Sequence, residues 1–202
     1  MHLNLRTVLC LPLIALVGCT NPPPKNPDSI CSIFSQHHDW YQAALNMEQD
    51  WGTPVSLAMA FIRQESGFTH DIAVESVFFR LSPRGDNSDP VGYTQAQDII
   101  WQEYEDSTGK SSSRTNFADS LDFIGWYTNE TKNRLNIPMS DVRNQYLAFQ
   151  EGWNGYRDGY HKSKRELLLT ASKVDRQART YAVQMKHCKV DLNQDKSPWW
   201  SF

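Results

Sequence analysis

The stretch GTPVSLAMAFIRQESG, residues 52–67, carries the start, body and stop of one helix. Thr53 and Pro54 stand where a helix N-terminus is signalled, and Gly67 stands where a left-handed C-terminal cap falls. Between them apolar residues recur at helical spacing, and stepping in fours from Leu57 gives Phe61 and then Glu65. A carboxylate therefore continues the buried stripe. Removal from water disfavours its charged form, and the negative end of the helix dipole disfavours it further, so both effects raise its pKa. Two readings stay open here: an acid kept protonated for chemistry, or a Glu that reaches solvent at a frayed helix end or bonds to a nearby Arg.

The pattern on either side is also helical. One helix ends near Gln36, and a second carries Trp40, Ala44, Met47 and Trp51 on one face. Phe117, Leu121, Ile124 and Thr128 form a stripe opened by Asn116; Val142, Tyr146 and Phe149 form another after Pro138 and Ser140, closed at Gly152. A last long helix carries Leu168, Ala171, Val174, Ala178, Tyr181, Met185 and Cys188 on its buried face. Between Gly67 and Gly92 the chain is irregular, and LSPRGDNSDP at 81–90 is dense in turn formers, which predicts a long loop with short strands around Val77 to Phe79.

At 202 residues with 40% hydrophobic content, the chain suits one domain with a sizeable core. A net charge of -3 gives no electrostatic reason to expect a nucleic-acid partner. The N-terminus, MHLNLRTVLCLPLIALVGC, has a basic Arg6, a short apolar run and small residues before a cysteine, which is secretory signal chemistry. Its end, Leu16-Val17-Gly18-Cys19, resembles the bacterial lipobox, in which the cysteine is lipidated and becomes the first mature residue; a simple signal peptide cut nearby is the alternative. Thr20, rather than an aspartate, follows that cysteine, which resembles the sorting pattern for outer-membrane delivery of Gram-negative lipoproteins.

On that reading Cys10 leaves with the signal and Cys19 carries lipid, so Cys31 and Cys188 remain for an oxidising compartment and are expected to pair, with two buried free thiols as the alternative. The proline-rich TNPPPKNPDSI at 20–30 reads as a stiff tether, extended at about 3 Å per residue. The expected organisation is a signal peptide at 1–18, a lipid-anchored tether at 19–30, a folded domain at 31–190 and a tail at 191–202.

Three segments ask for a joint explanation: QESGF at 64–68, GYTQA at 92–96 and YLAFQEGWNGY at 146–156. Together they resemble the lytic transglycosylase family with the lysozyme-like SLT domain, in which Glu-Ser ends a helix, a Gly-x-x-Gln turn follows, and an Ala-Tyr-Asn-x-Gly helix end comes third. The likeness is closest to a lipoprotein branch of that family, through WYQAAL at 40–45, DFIGWY at 122–127, the EG at 151–152 with its later Gly-Tyr, and paired terminal cysteines; it covers 28–188. It implies a mainly α, single-domain fold of the goose-lysozyme and soluble lytic transglycosylase type, with a long irregular loop.

The resemblance implies cleavage of the β-1,4 bond between MurNAc and GlcNAc of peptidoglycan. Glu65 would first protonate the leaving oxygen, then act as a base while the muramic acid's C6 hydroxyl closes onto C1, giving a 1,6-anhydro end without water. Ser66 matches the serine after the glutamate, and Gln95 matches the turn glutamine, whose amide would bond an N-acetyl group or steady Glu65. Gly92 would allow close backbone approach, and Tyr93 stands beside it as a substrate contact or as packing. The third segment departs from the family, because Ala148-Phe149-Gln150 replaces Ala-Tyr-Asn and removes a tyrosine hydroxyl; Tyr146 and Tyr156 are the candidates to supply one. Gln150 takes the place of the asparagine, Glu151 reads as a supporting acid or a surface charge, and Trp153 and Tyr156 are the candidates for stacking on sugar rings.

No cofactor is expected, and the adjacent His37 and His38 lack metal-ligand spacing. The implied setting is a monomer in the cell envelope, held to the outer membrane by lipid on Cys19 and facing the periplasm. A tail partner is conceivable through Trp199 and Trp200. Two other functions stay open: a goose-type muramidase using water, with Asp86 or Asp89 as its extra carboxylate, and a lipoprotein that binds cell wall without cutting it.

Overall fold

The computed structural model describes residues 22–70 and 91–194, the side chains of 189–191, 193 and 194 excepted. The signal segment with Cys19, the strands expected around Val77 to Phe79, Asp86, Asp89 and the Trp199-Trp200 tail lie outside the described residues. Seven helices make up most of the described chain: α1 (Ile30–Gln36), α2 (His38–Trp51), α3 (Val55–Ser66), α4 (Asp98–Thr108), α5 (Phe117–Leu135), α6 (Val142–Arg157) and α7 (Arg165–Gln194). A single 3-10 turn, Tyr160–Ser163, joins α6 to α7. Among the described residues the β content is one isolated bridge, Val91 to Ala96. No helix there is long and apolar enough to cross a membrane.

Several boundaries follow the capping chemistry of the sequence. The Asn116 side chain accepts from the N–H groups of Ala118 and Asp119, and Asp141 accepts from Asn144, so each satisfies a helix start. α3 differs from expectation at its start. Thr53 is fully buried and its hydroxyl bonds Thr128 on α5 at 2.7 Å, so it does not cap; the Val55 N–H donates instead to Glu48 Oε1 on α2 at 3.1 Å. At its end the Gly67 N–H donates to Arg63 O with Gly67 in the left-handed region, as the sequence predicts.

α7 backs the fold, packing along α1, α3 and α6. Its buried stripe is Leu167, Ala171, Val174, Ala178 and Tyr181; Leu168, expected in that stripe, is half-buried beside it. α2 and α5 pack together on the other side of α3, where Trp40 stacks on Phe117 with ring centroids 3.7 Å apart. Burying Phe61 of α3 completely contributes about 2–3 kcal/mol.

Asp122 on α5 joins three elements. Its carboxylate accepts from Trp51 Nε1 of α2 at 2.7 Å, from Lys110 Nζ at 2.6 Å and from the Tyr104 hydroxyl of α4. Burial pushes this carboxyl up, but the bonds from Lys110, Tyr104 and Trp51 outweigh it and hold it below its ordinary value of 3.8. A carboxyl lowered in the folded state binds fewer protons than in the unfolded chain. Its stabilisation is therefore complete above the ordinary value and fades as pH falls through the folded one.

At the far side, Cys31 on α1 and Cys188 on α7 meet with their sulfur atoms at bonding distance and their Cα atoms 5.8 Å apart. A bond there closes a span of 157 residues, worth about 5 kcal/mol in the chain-entropy view.

Two outcomes are expected. Asp122→Ala should cost about 2–3 kcal/mol, read as a lower Tm at pH 7 whose difference from wild type narrows as pH is taken below 4. Thiol reduction of the wild-type protein should lower its Tm, whereas a Cys31→Ser, Cys188→Ser double variant should melt low with and without reductant.

Candidate active site

Glu65 sits in the last turn of α3, below Phe61 and only 6% exposed. Facing it, Tyr146 and Gln150 stand four residues apart on one face of α6. The Tyr146 hydroxyl donates to Glu65 Oε1 at 2.7 Å and the Gln150 amide donates to the same oxygen at 2.8 Å. Phe61 holds this register through an edge contact with Tyr146, centroids 5.1 Å apart, and a tilted contact with Phe149 at 5.4 Å. A hydroxyl thus reaches Glu65 from Tyr146, one turn before position 149.

The turn at 91–97 forms a second wall. Gly92 has φ 79, and a Cβ there would meet Arg114 O at 2.0 Å, so both its conformation and its neighbour require glycine. Gln95 is 3% exposed at the unusual φ of 52. Its Nε2 donates to Gly92 O at 2.7 Å, which fixes the amide orientation and turns Oε1 the other way as an acceptor with no protein partner.

A cleft of about 230 Å³ joins these parts, lined by Glu65, Gln95, Phe149, Gln150, Glu151 and Trp153 among others. Ile99 and Ile100 of α4 supply an apolar side. Glu151 is held by Lys164 at the foot of α7, with Nζ 2.8 Å from Oε1 and 2.9 Å from Oε2. The cleft combines a buried carboxyl, neutral donors aimed at one of its oxygens, and apolar walls. That set can deliver a proton in a partly dry site.

Other residues singled out from sequence fall elsewhere. Ser66 is buried and donates to Ile62 O at 3.2 Å, inside its own helix. Tyr93 is core, with its ring against Trp40 and Phe117. Trp153 lines the cleft, but its ring lies parallel to Tyr127 at 4.7 Å while the Arg134 guanidinium sits 3.7 Å over it. Two groups that close occupy opposite faces of the indole, and its Nε1 donates to Thr131 at 2.9 Å. Both faces of the indole therefore carry protein groups. Tyr156 stacks on His161 at 4.6 Å and is not among the lining residues. Burial, chiefly, pushes its phenol up and the His161 imidazole down.

Sequence reasoning missed Lys164, Arg134 and the α4 isoleucines. The first two reach the site from distant helices and leave no local spacing. α4 did carry a signal: Trp101 and Tyr104 three residues apart, Asp98 in the first turn and Gly109 just beyond the end.

A family model described as Transglycosylase SLT domain matches residues 7–188. No curated protein and no solved structure matches the chain. The match spans the three motif segments, both walls of the cleft and every helix up to Cys188. This mainly helical, lysozyme-like chain belongs to the transglycosylase SLT domain family.

Proposed function

We propose that this protein is a peptidoglycan lytic transglycosylase that uses Glu65 as both acid and base. Family membership implies a transglycosylase acting on peptidoglycan in the cell envelope. The observation that carries the finer reading is the buried Glu65, whose Oε1 accepts from Tyr146 and Gln150.

Protonated Glu65 holds the transferable proton in the cleft. Glu65 passes it to the glycosidic oxygen as the C1–O bond breaks, and GlcNAc leaves as an alcohol. The carboxylate, supported by the same two donors, then takes the C6 hydroxyl proton while O6 bonds to C1. The acid is regenerated, the product is a 1,6-anhydro end, and no water enters the balance. A hydrolase of this type employs a second carboxylate as nucleophile or as a base for water. Among the described residues the other cleft carboxylate is Glu151, whose two oxygens both face Lys164. That pairing supports the single-carboxylate route. Lipidation at Cys19, outer-membrane delivery and a Cys31–Cys188 bond belong to the same proposal for a tethered envelope enzyme.

The test is mass spectrometry of purified peptidoglycan digested by the full-length protein in detergent. Anhydro-muropeptides are expected from wild type. Glu65→Gln should lose them by about a thousandfold or more while its thermal melt stays close to wild type. Products with reducing ends would assign hydrolysis instead, and binding without cleavage would assign a wall-binding protein. Tyr146→Phe, which removes one donor from Oε1, should lower kcat about tenfold, equivalent to roughly 1.4 kcal/mol, with KM little changed.

A further inference from the structure

Glu151 and Lys164 are not required by the proton transfers above, yet Glu151 lines the same cleft and Lys164 pairs with it. The Glu151 side chain is 5% exposed and lines the cleft next to Gln150, which bonds Glu65. Gly152 follows at φ 70, ψ 163, a region open essentially to glycine alone, and this kink ends the regular part of α6. Beyond it, Gly155 leaves room for the folded carboxylate: a Cβ there would come within 3.3 Å of Glu151 Cβ and 3.7 Å of its Oε2. The ion pair with Lys164 thus spans the kink and ties the end of α6 to the start of α7.

We propose that Lys164 is a positioning residue that neutralises Glu151 in the cleft and thereby sets the pH range over which Glu65 holds its catalytic proton. This inference rests on the reading of Glu65 as the acid. A buried charge is poorly screened, so an unmatched anion at Glu151 opposes ionisation of a carboxyl in the same cleft. An unmatched cation at Lys164 does the reverse. Paired, the two nearly cancel, so removing either one alone is what shifts Glu65.

Among the described residues, other charged groups on the packed elements have partners of their own; on α5, Arg134 pairs with Glu103 and Glu130. On α3, Arg63 pairs with Asp28. From α5, the Tyr127 hydroxyl donates to Ala148 O at 2.9 Å. From α6, Tyr146 faces Glu65 directly, and Arg143 donates to Ser172 on α7. His161, beside Glu151 and stacked on Tyr156, is pushed down by burial and titrates on the acid side. The turn at 92–97 brings only uncharged side chains. The alkaline limb of the rate profile is therefore the one to read.

The experiment is the pH dependence of kcat/KM for full-length protein on purified peptidoglycan, with a thermal melt of every variant. Lys164→Met should move the alkaline limb up by roughly half a pH unit or more, and Glu151→Gln should move it down by a similar amount. The double variant should return towards wild type, and Lys164→Arg should resemble wild type throughout. Loosening of the kink alone would change rates without opposite, cancelling shifts; single variants that shift together or not at all overturn the proposal. If Lys164→Met fails to fold, the downward shift in Glu151→Gln decides by its presence or absence. A wild-type protein that makes no anhydro products overturns the assignment of Glu65 itself, a separate failure visible before any variant is measured.

Discussion

The site depends on one carboxyl being buried between two helices. Removing a carboxylate from water without partners costs several kcal/mol, so α3 can hold Glu65 at 6% exposure only if the facing helix answers it. α6 does so with Tyr146 and Gln150, a full turn apart on one face. Each such bond to an ionised group is worth about 1.5–3 kcal/mol. A rotation of α6 by one residue, about 100°, would carry both donors away from the acid. The constraint spreads outward from there. Phe61 locks α3 to α6 through Tyr146 and Phe149, and α7 packs against both helices from behind.

The second wall follows a related logic with backbone in place of helix packing. Gln95 is a non-glycine residue at positive φ, held there by its own amide bonding back to Gly92. That bond fixes the amide and leaves its Oε1 buried without a hydrogen-bond partner beside the cleft.

Helical spacing made much of this legible beforehand. Steps of four from Leu57 found the buried Glu65, and Asn116 and Gly67 marked real boundaries, because those signals act over one or two turns. Thr53 failed as a cap because its hydroxyl was claimed by Thr128, 75 residues away. Position 149 looked like a lost hydroxyl only while the motif was read as a string; on a helix Tyr146 shares the same face. Spacing brought Trp153 to the cleft but not the groups on its faces. Spacing says which way a ring points, whereas Tyr127 and Arg134, which cover its two faces, come from α5. Lys164 was invisible for the same reason.

Among the described residues two carboxylates, Glu65 and Glu151, line the cleft. Their partners differ. Glu65 accepts from an uncharged hydroxyl and an uncharged amide on α6. Glu151 instead faces the Lys164 ammonium with both oxygens. The proposed single-acid route needs one carboxyl to carry the proton and leaves the other to its ion pair, and the two partner sets divide the carboxyls along that line.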